Sequence, residues 1–221
     1  KSENSWITLS EIIDNLNKND IDEFKSFFRP LIPKEWKRNI NEWLSTNDID
    51  NVISQYEEAY PEFKYLGAHP IDAHKCSVSK EVCKIDVCNL MDNNKTKIGI
   101  VFNTDTSDGE GEHWVSFYID ILGENRNGRA SMYFFDSTGD EPQDEIYDLA
   151  KKIKKQCKKK NIDIDYLIND ITHQKNDTEC GIYSIYFLTE MLKGKNFDKF
   201  VKEIKRDKFM EKYRKIFYLN L

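Results

Sequence analysis

The spacing of apolar positions changes from helical to strand-like along this chain. In the first part, apolar residues recur at helical intervals, and Thr8 with Glu11 forms the pattern of a capping box ahead of them. This spacing predicts a helical N-terminal region over residues 1–38 and a further helix over residues 48–60. We expect the N-terminal region to be separate from a main domain over residues 39–221.

The middle of the chain has the pattern of a sheet. Residues 97–102 carry a continuous apolar run, which is typical of a strand buried on both faces. After a glycine-containing loop over residues 104–112, the segments 113–122 and 130–135 predict two more strands. Turn-forming residues at 123–128 separate these two segments. We therefore expect the second and third strands to pair as an antiparallel hairpin.

The rest of the chain mixes helices and a strand without a regular βαβ order. Apolar spacing predicts a helix over 145–155, a strand over 162–168, a helix over 181–192 and a helical tail over 197–218. Gly194 directly follows the helix before the tail and predicts its C-terminal end. This mixture of elements predicts an α+β domain.

Composition and charge argue against several classes of function. The chain has 221 residues, of which 39% are hydrophobic and 33% are charged, and its formal net charge is −6. This charge disfavours a general nucleic-acid binder, and the lysine run at 151–160 is more simply a solvated helix face than a DNA contact. No apolar run is long enough for a membrane span. We expect a monomer, and the start at Lys1 predicts a fragment of a longer product.

The cysteines do not form a recognisable disulfide framework, since their number is odd. They are Cys76, Cys83, Cys88, Cys157 and Cys180. We predict buried, reduced thiols and a reducing compartment, the cytosol or the nucleus. The first three cysteines lie near His69 and His74, but their spacings differ from the close pairs of common zinc modules, so no metal is predicted.

Cys180 has the setting of a nucleophile. A reactive cysteine acts as its thiolate, and the N-terminus of a helix stabilises negative charge. Cys180 stands at the start of an apolar helix, behind the two good N-cap residues Asp177 and Thr178. Gly181 leaves room for a substrate backbone. Simple packing of Cys180 under its helix is the alternative, whereas Cys157 lies on the apolar face of a lysine-rich helix and has no such setting.

His113 and Asp136 are predicted to meet at one end of the hairpin. His113 begins the second predicted strand and Asp136 follows the third, and the midpoint of their numbers falls inside the turn cluster. A carboxylate beside an imidazole fixes its tautomer and supports its charged form. Each residue alone also fits an ordinary strand end or turn. A paired histidine and aspartate together with a cysteine at a helix start indicate covalent catalysis.

Gln174 is a candidate donor to an oxyanion. Acyl transfer through a thiolate needs hydrogen-bond donors for the negative oxygen of the tetrahedral intermediate. Gln174 lies six residues before Cys180, and its amide with the backbone N–H of Cys180 would supply two donors. An ordinary surface-loop glutamine is the alternative that spacing does not exclude.

These residues together resemble a known protease family. They occur in the order His113, Asp136, Gln174 and Cys180, with a tryptophan directly after the histidine and a glycine directly after the cysteine. This arrangement is similar to the cysteine proteases that process SUMO and other ubiquitin-like proteins, and to adenovirus-type maturation proteases. Segments such as residues 67–72 resemble the versions encoded by large cytoplasmic DNA viruses.

The resemblance implies a papain-like cysteine protease fold, with a central mixed or antiparallel sheet flanked by helices and the nucleophile at a helix N-terminus. It implies Cys180 as nucleophile, His113 as general base and acid, Asp136 as its orienting residue and Gln174 in the oxyanion hole. It also implies a narrow channel for small residues such as Gly-Gly, walled by Trp114 and, in a looser match, by Trp43. Core packing is the alternative for both tryptophans.

The resemblance leaves the substrate open. It favours an endopeptidase or isopeptidase that matures viral polyproteins at Gly-Gly-like sites in the host cytoplasm and virion, with the nucleus as a further location. Removal of SUMO-like modifiers is an alternative use of the same chemistry. Bacterial acyltransferases carry a similar Cys–His–acid site and provide a second alternative, and an inactive binding module is a third. The hydrolytic mechanism needs no metal and no organic cofactor.

Overall fold

One mixed sheet lies at the centre of the part of the chain that the computed structural model describes, residues 28–219. Its strands are β1 Phe63–Pro70, β2 Lys97–Asn103, β3 Trp114–Asp120, β4 Ser131–Phe135 and β5 Asp165–Ile168. They lie side by side in chain order. The pairs β2–β3 and β3–β4 are antiparallel, whereas the outer pairs β1–β2 and β4–β5 are parallel. The predicted α+β class and mixed sheet are confirmed.

Helices cover both faces of this sheet. Within residues 28–219 they are α1 Thr46–Ile53, α2 Tyr56–Ala59, α3 Lys80–Cys83, α4 Val87–Asp92, α5 Asp144–Lys159, α6 Cys180–Leu192, α7 Phe197–Lys202 and α8 Asp207–Phe217. Helix α6 packs against one face and α5 against the other. In the described part of the chain, none of these helices combines the length and the apolar composition needed to cross a membrane.

Alternating side chains divide the core into two halves. Along β4, Tyr133 and Phe135 pack on the α6 side, whereas Met132 and Phe134 pack on the α5 side. Every residue of β2 is buried, which accounts for the continuous apolar run in its sequence because a central strand has no solvated face. The lysines of α5 lie mostly on its solvent face, as predicted.

The predicted hairpin forms, and its register determines which residues meet at its open end. Ser116 of β3 lies opposite Phe135 of β4. His113 therefore leads into β3 at the same end at which Asp136 leaves β4. At the other end, Asp120 accepts two backbone N–H groups of the turn at 2.8 Å each, which holds the loop closed.

Two predicted helices are each divided in two. The helix predicted over residues 48–60 is interrupted after α1, where the hydroxyl of Ser54 donates back to the carbonyl of Asp50 at 2.6 Å and competes with the regular helical pattern. The tail predicted over residues 197–218 is divided into α7 and α8. Between them, the carbonyl of Lys205 accepts the hydroxyl of Tyr183 at 2.9 Å, a tertiary contact that the local sequence does not encode.

The N-terminal prediction is tested over part of its length only. The candidate capping box at Thr8 and Glu11 lies outside the described residues. Within the described part, only the short 3₁₀ turn Lys34–Lys37 is helical, and Leu31 instead forms a parallel bridge with Leu219. The two prolines at positions 30 and 33 are expected to end the N-terminal helical segment, so the helical prediction and its boundary at residue 38 both stay predictions.

Strand β1 was not predicted from the sequence. Gly67 lies within it in a left-handed conformation, with φ of 100°, and the strand ends at Pro70. The pairing with β2 shifts between Tyr65 and Ala68, as in a β-bulge. Because the bulge changes which side chains face inward, the strand loses the two-residue alternation by which sequence analysis detects it.

The prediction of reduced, buried cysteines is wrong for Cys76 and Cys83, which form a disulfide. A turn over residues 76–78 precedes the short helix α3, and the Cα atoms of Cys76 and Cys83 lie 5.1 Å apart, within the range for a disulfide. Cys76 is exposed, and Cys83 and Cys88 are half-buried. The sequence analysis inferred a reducing compartment from unpaired thiols, and the disulfide removes this argument. Among the described residues, no group of three or more His, Cys, Asp or Glu side chains could hold a metal ion.

Candidate active site

His113 and Asp136 meet at the open end of the hairpin. Nε2 of His113 lies 2.8 Å from Oδ1 of Asp136. The carboxylate itself is buried and also accepts the backbone N–H of Thr138 at 2.8 Å and its hydroxyl at 2.7 Å. These additional donors fix the carboxylate, which in turn orients the imidazole. Because Nε2 is bound to Asp136, Nδ1 is the ring nitrogen available to a thiol.

The surroundings of His113 favour its charged form. Burial by itself lowers the pKa of His113, but the hydrogen bonds to Asp136 and to Cys180 outweigh burial and raise the pKa from 6.5 to about 10. An imidazolium next to a cysteine stabilises the thiolate of that cysteine. His113 is therefore charged at neutral pH, and the thiolate that such a charge favours is the form in which a cysteine attacks a carbonyl carbon.

Cys180 is the first residue of α6, at the positive end of the helix dipole. Its side chain is buried, and it is one of the two groups that raise the pKa of His113. The N-cap residue is Glu179, without a side-chain cap, rather than Asp177 or Thr178 as predicted. The first N–H groups of a helix have no partner within the helix, so the backbone around Cys180 presents donors beside the sulfur.

Gln174 is held in place by Ser137, a residue whose role the sequence analysis missed. The hydroxyl of Ser137 donates to Oε1 of Gln174 at 2.7 Å, and the Ser137 carbonyl accepts the N–H groups of His173 and Gln174 at 2.8 Å each. One N–H of the Gln174 amide donates to the carbonyl of Asn176, which leaves the other N–H for a further acceptor. Ser137 follows Asp136 directly, so its position in the chain was the available signal.

A cleft of about 560 Å³ extends from the catalytic end of the hairpin, and both predicted tryptophans line it. Trp114 is buried and donates its indole N–H to the carbonyl of Leu44 at 2.9 Å. Trp43 is 41% exposed and also lines the cleft. The loop around Gly109 forms part of the rim. Trp114 directly follows His113 in the chain, so the cleft lies near the catalytic end of the hairpin.

The structure explains the glycine at position 181 in a different way from the prediction. A Cβ atom at this position would lie 2.9 Å from Cδ1 of Leu44, so the side chain of Leu44 occupies the space that the prediction reserved for substrate. Gly181 is buried under the cleft wall. Its small size allows the segment that carries Trp43 to pack against the start of α6, and it therefore supports the cleft without lining it.

The cleft has an acidic lining. The charged side chains around it are Glu35, Glu42, Asp105 and Glu110, and no lysine, arginine or histidine lines it among the residues that the structure describes. Like charges raise the free energy of an anion that enters such a site. A neutral or cationic polypeptide is therefore favoured over a polyanionic ligand.

Comparison with known sequences gives a family and two kinds of viral relative. The family described as YopJ serine/threonine acetyltransferase matches residues 21–217. A putative thiol protease of Acanthamoeba polyphaga mimivirus is 36% identical over 180 residues, which cover 81% of this chain and 57% of the relative. A SUMO-1 cysteine protease of African swine fever virus is 32% identical over 117 residues, which cover 52% of this chain and 41% of that protein. The chain thus spans about half the length of these relatives.

Solved structures share the fold. The crystal structure of an African swine fever virus protease matches with a TM-score of 0.80 at 21% identity, covering 100% of this chain and 84% of that one. The C-terminal protease domain of Ulp1, in complex with the yeast ortholog of SUMO, matches with a TM-score of 0.54 at 16% identity, covering 91% of this chain and 93% of that one. At these identities the likeness establishes the fold alone, and it confirms the predicted protease-type α+β architecture.

Proposed function

This chain belongs to the family described as YopJ serine/threonine acetyltransferase, and from the geometry of its site and its viral relatives we propose that it is a cysteine protease. The observation that carries the proposal is the hydrogen bond between His113 and Asp136, together with the effect of Cys180, the first residue of a helix, on the charge of His113. A carboxylate, an imidazole and a thiol in this order are the components of nucleophilic acyl transfer. The viral relatives named as thiol or cysteine proteases support the same chemistry.

The proposed mechanism assigns one role to each residue. The Cys180 thiolate attacks the carbonyl carbon of the scissile bond, and Gln174 and backbone N–H groups hold the oxyanion. The tetrahedral intermediate breaks its carbon–nitrogen bond as His113 transfers its proton to the leaving amine. His113 then takes a proton from water, which attacks the thioester carbon and releases the carboxylate and the thiolate. Asp136 holds the ring of His113 throughout, and no metal or organic cofactor takes part.

The proposed substrate is a protein cut after a Gly-Gly-like sequence. Trp114 and Trp43 line the cleft that leads to the triad, and two aromatic walls favour residues without bulky side chains. Cleavage of a viral polyprotein in the host cytoplasm is the use that we favour, with the chain acting as a monomer. Removal of a SUMO-like modifier is the alternative, which the relative named as a SUMO-1 cysteine protease supports.

Acetyl transfer is the second alternative, because the description of the family names it. Acetyl transfer from an acyl-CoA would use the same thiolate and the same imidazole. The acidic lining of the cleft argues against it, since a phosphate-bearing donor would meet Glu35, Glu42 and Glu110 near the route to Cys180. A polypeptide substrate does not meet this repulsion.

One panel of substrates separates these functions. The chain is incubated with a Gly-Gly-containing peptide, with coumarin conjugates of ubiquitin-like modifiers, and with acetyl-CoA plus a protein acceptor. Release of the peptide product or of coumarin supports proteolysis and distinguishes its two uses. Acetylation of the acceptor without any cleavage would contradict the protease proposal. Cys180→Ala serves as the inactive control in each arm.

A further inference from the structure

The loop between Gln174 and Cys180 carries both groups of the proposed oxyanion hole, yet it has no regular secondary structure of its own. Residues 175–179 connect the side-chain donor to the backbone donor. Small shifts of this loop would move the two donors relative to each other, and oxyanion stabilisation depends steeply on such distances. The position of the loop must therefore be fixed by other parts of the molecule.

One end of the loop is held by Asp207, the first residue of α8. The carboxylate of Asp207 accepts the backbone N–H of Lys175 at 3.1 Å and that of Asn176 at 3.2 Å. Its Oδ1 also lies 3.2 Å from the hydroxyl of Tyr183, a residue of α6, which shares its proton between Asp207 and the carbonyl of Lys205. Asp207 thus connects the segment that follows Gln174 to the helix that begins with Cys180.

The other end of the loop is held by Arg214, on the same helix. Nε of Arg214 lies 2.9 Å from both carboxylate oxygens of Glu179, and Nη2 donates to the carbonyl of Thr178 at 2.8 Å. Nη1 donates to the carbonyl of Glu42, next to Trp43 in the cleft wall, at 2.9 Å. The guanidinium also stacks on Trp36, 4.4 Å from the ring centroid. A single buried side chain thereby joins the nucleophile loop to the substrate wall.

Asp207 and Arg214 belong to the same helix, so α8 alone holds both ends of the loop. Seven positions along a helix are two turns, so Asp207 and Arg214 lie on the same side of α8 about 10 Å apart. The acidic residue accepts backbone N–H groups, and the basic residue donates to backbone carbonyls. The ion pair of Arg214 with Glu179 is buried, both residues being 1% exposed. Buried ion pairs are poor sources of stability but restrict geometry, because few arrangements satisfy them.

We propose that Asp207 and Arg214 are positioning residues that set the oxyanion hole, by holding the loop over residues 175–179 at both ends. This inference rests on the proposed function, since it assigns the loop a role in acyl chemistry. The two residues touch no reacting atom. They act through the backbone on either side of the loop and, in the case of Arg214, through the cleft wall.

The test compares two reactions of the same sulfur. Peptide aldehydes bind cysteine proteases as a tetrahedral adduct that needs the oxyanion hole, whereas iodoacetamide alkylates a thiolate without forming an oxyanion. Asp207→Asn keeps the shape of the side chain and removes its charge, and Arg214→Lys keeps the charge and removes the fork of donors. We expect both variants to lose about 10- to 100-fold in kcat and in affinity for a Gly-Gly aldehyde. KM and the alkylation rate should change by less than about threefold.

Asn125→Ala is the matched control. Asn125 is buried and its amide donates to the carbonyls of Met191 and Lys195 at 2.8 Å each, at the opposite end of α6. This variant should lower the thermal midpoint while kcat, aldehyde affinity and alkylation rate stay at wild-type values. If Asp207→Asn and Arg214→Lys behave like this control, the residues are structural and the positioning role is refuted.

The remaining outcomes are also decisive. Should Arg214→Lys fail to fold, the shape-conserving Asp207→Asn variant decides the question alone. An equal loss of aldehyde affinity and of alkylation rate would overturn the proposal, because it would indicate general damage to the sulfur's surroundings. If the wild-type chain cleaves no substrate of the panel, the proposed function fails. The ratio of aldehyde affinity to alkylation rate still decides whether the two residues set the oxyanion hole.

Discussion

Two buried free cysteines lie on helices that cover opposite faces of the sheet. They differ in their position along the helix and in the groups around them. Cys180 begins α6 beside an imidazolium, whereas Cys157 lies near the C-terminal end of α5 among apolar side chains. Burial raises the pKa of the Cys157 thiol to about 11, so this thiol stays protonated at neutral pH. The comparison teaches that helix end and charged partner, not burial, make a cysteine reactive.

Removing the two thiols in turn is the strongest way to break this comparison. Cys180→Ala should lower kcat/KM by about 10⁴-fold or more, because no other group can form the acyl-enzyme. Cys157→Ala should leave kcat/KM unchanged, since the residue lies on the other face of the sheet from Cys180. Both values come from cleavage of the best substrate of the panel. Residual cleavage by Cys180→Ala, or its loss in Cys157→Ala, would contradict the assignment.

The carboxylates at the two ends of the hairpin sharpen the contrast between reactive and structural groups. Asp136→Asn should lower kcat by about 10²- to 10⁴-fold, because the amide no longer holds the imidazole in its charged form and orientation. Asp120, equally buried at the turn end, accepts backbone N–H groups only. Asp120→Asn should therefore lower stability without a change in kcat. Equal losses of kcat in both variants would argue against a catalytic role for Asp136.

The α5 face should respond in stability and not in activity. Ile153 is fully buried on this face, and Ile153→Ala should lower the free energy of unfolding by about 2–5 kcal/mol. Lys154→Ala, one residue along on the solvent side of α5, should change it by less than about 0.5 kcal/mol. Urea titrations measure both, and assays well below the melting temperature should give wild-type kcat. A fall in kcat for Lys154→Ala would indicate a functional contact on this face.

A pH dependence of stability is expected at the reactive site. The pKa of His113 is raised from 6.5 to about 10 in the folded chain, so its stabilising contribution is complete below pH 6.5 and is lost as the pH rises towards 10. The difference in unfolding free energy between wild type and His113→Gln should therefore shrink from pH 6 to pH 10. A difference that stays constant or grows over this range would show that the imidazole is neutral in the folded protein.

Local sequence patterns located the residues of the candidate site but not the residues that hold them in position. The turn residues between β3 and β4 fixed which strand ends would meet, which is why His113 and Asp136 could be paired from spacing alone. The setting of Cys180 followed in the same way from the apolar helix behind it. Their catalytic roles stay predictions. Ser137 and Arg214 were missed because their partners lie 37 and 35 positions away, at Gln174 and Glu179.

The two errors have different origins, one in a nearby turn and one in a long-range contact. The disulfide of Cys76 and Cys83 joins residues seven positions apart across a turn, and an odd number of cysteines says nothing about such a turn. The role of Gly181 changed because Leu44 packs over it, a residue more than a hundred positions away. The pattern of apolar and polar residues along the sequence shows neither the disulfide nor the contact between Gly181 and Leu44.

By itself the sequence determined the class of fold, the hairpin and the candidate nucleophile, because these depend on periodicity and turn chemistry within a few residues. Only the tertiary structure decided how the cleft is walled, what fixes Gln174 and how α8 holds the loop before Cys180. Those features arise where distant segments pack together. Their hydrogen bonds join side chains to backbone groups, and backbone groups carry no signature in the amino-acid sequence.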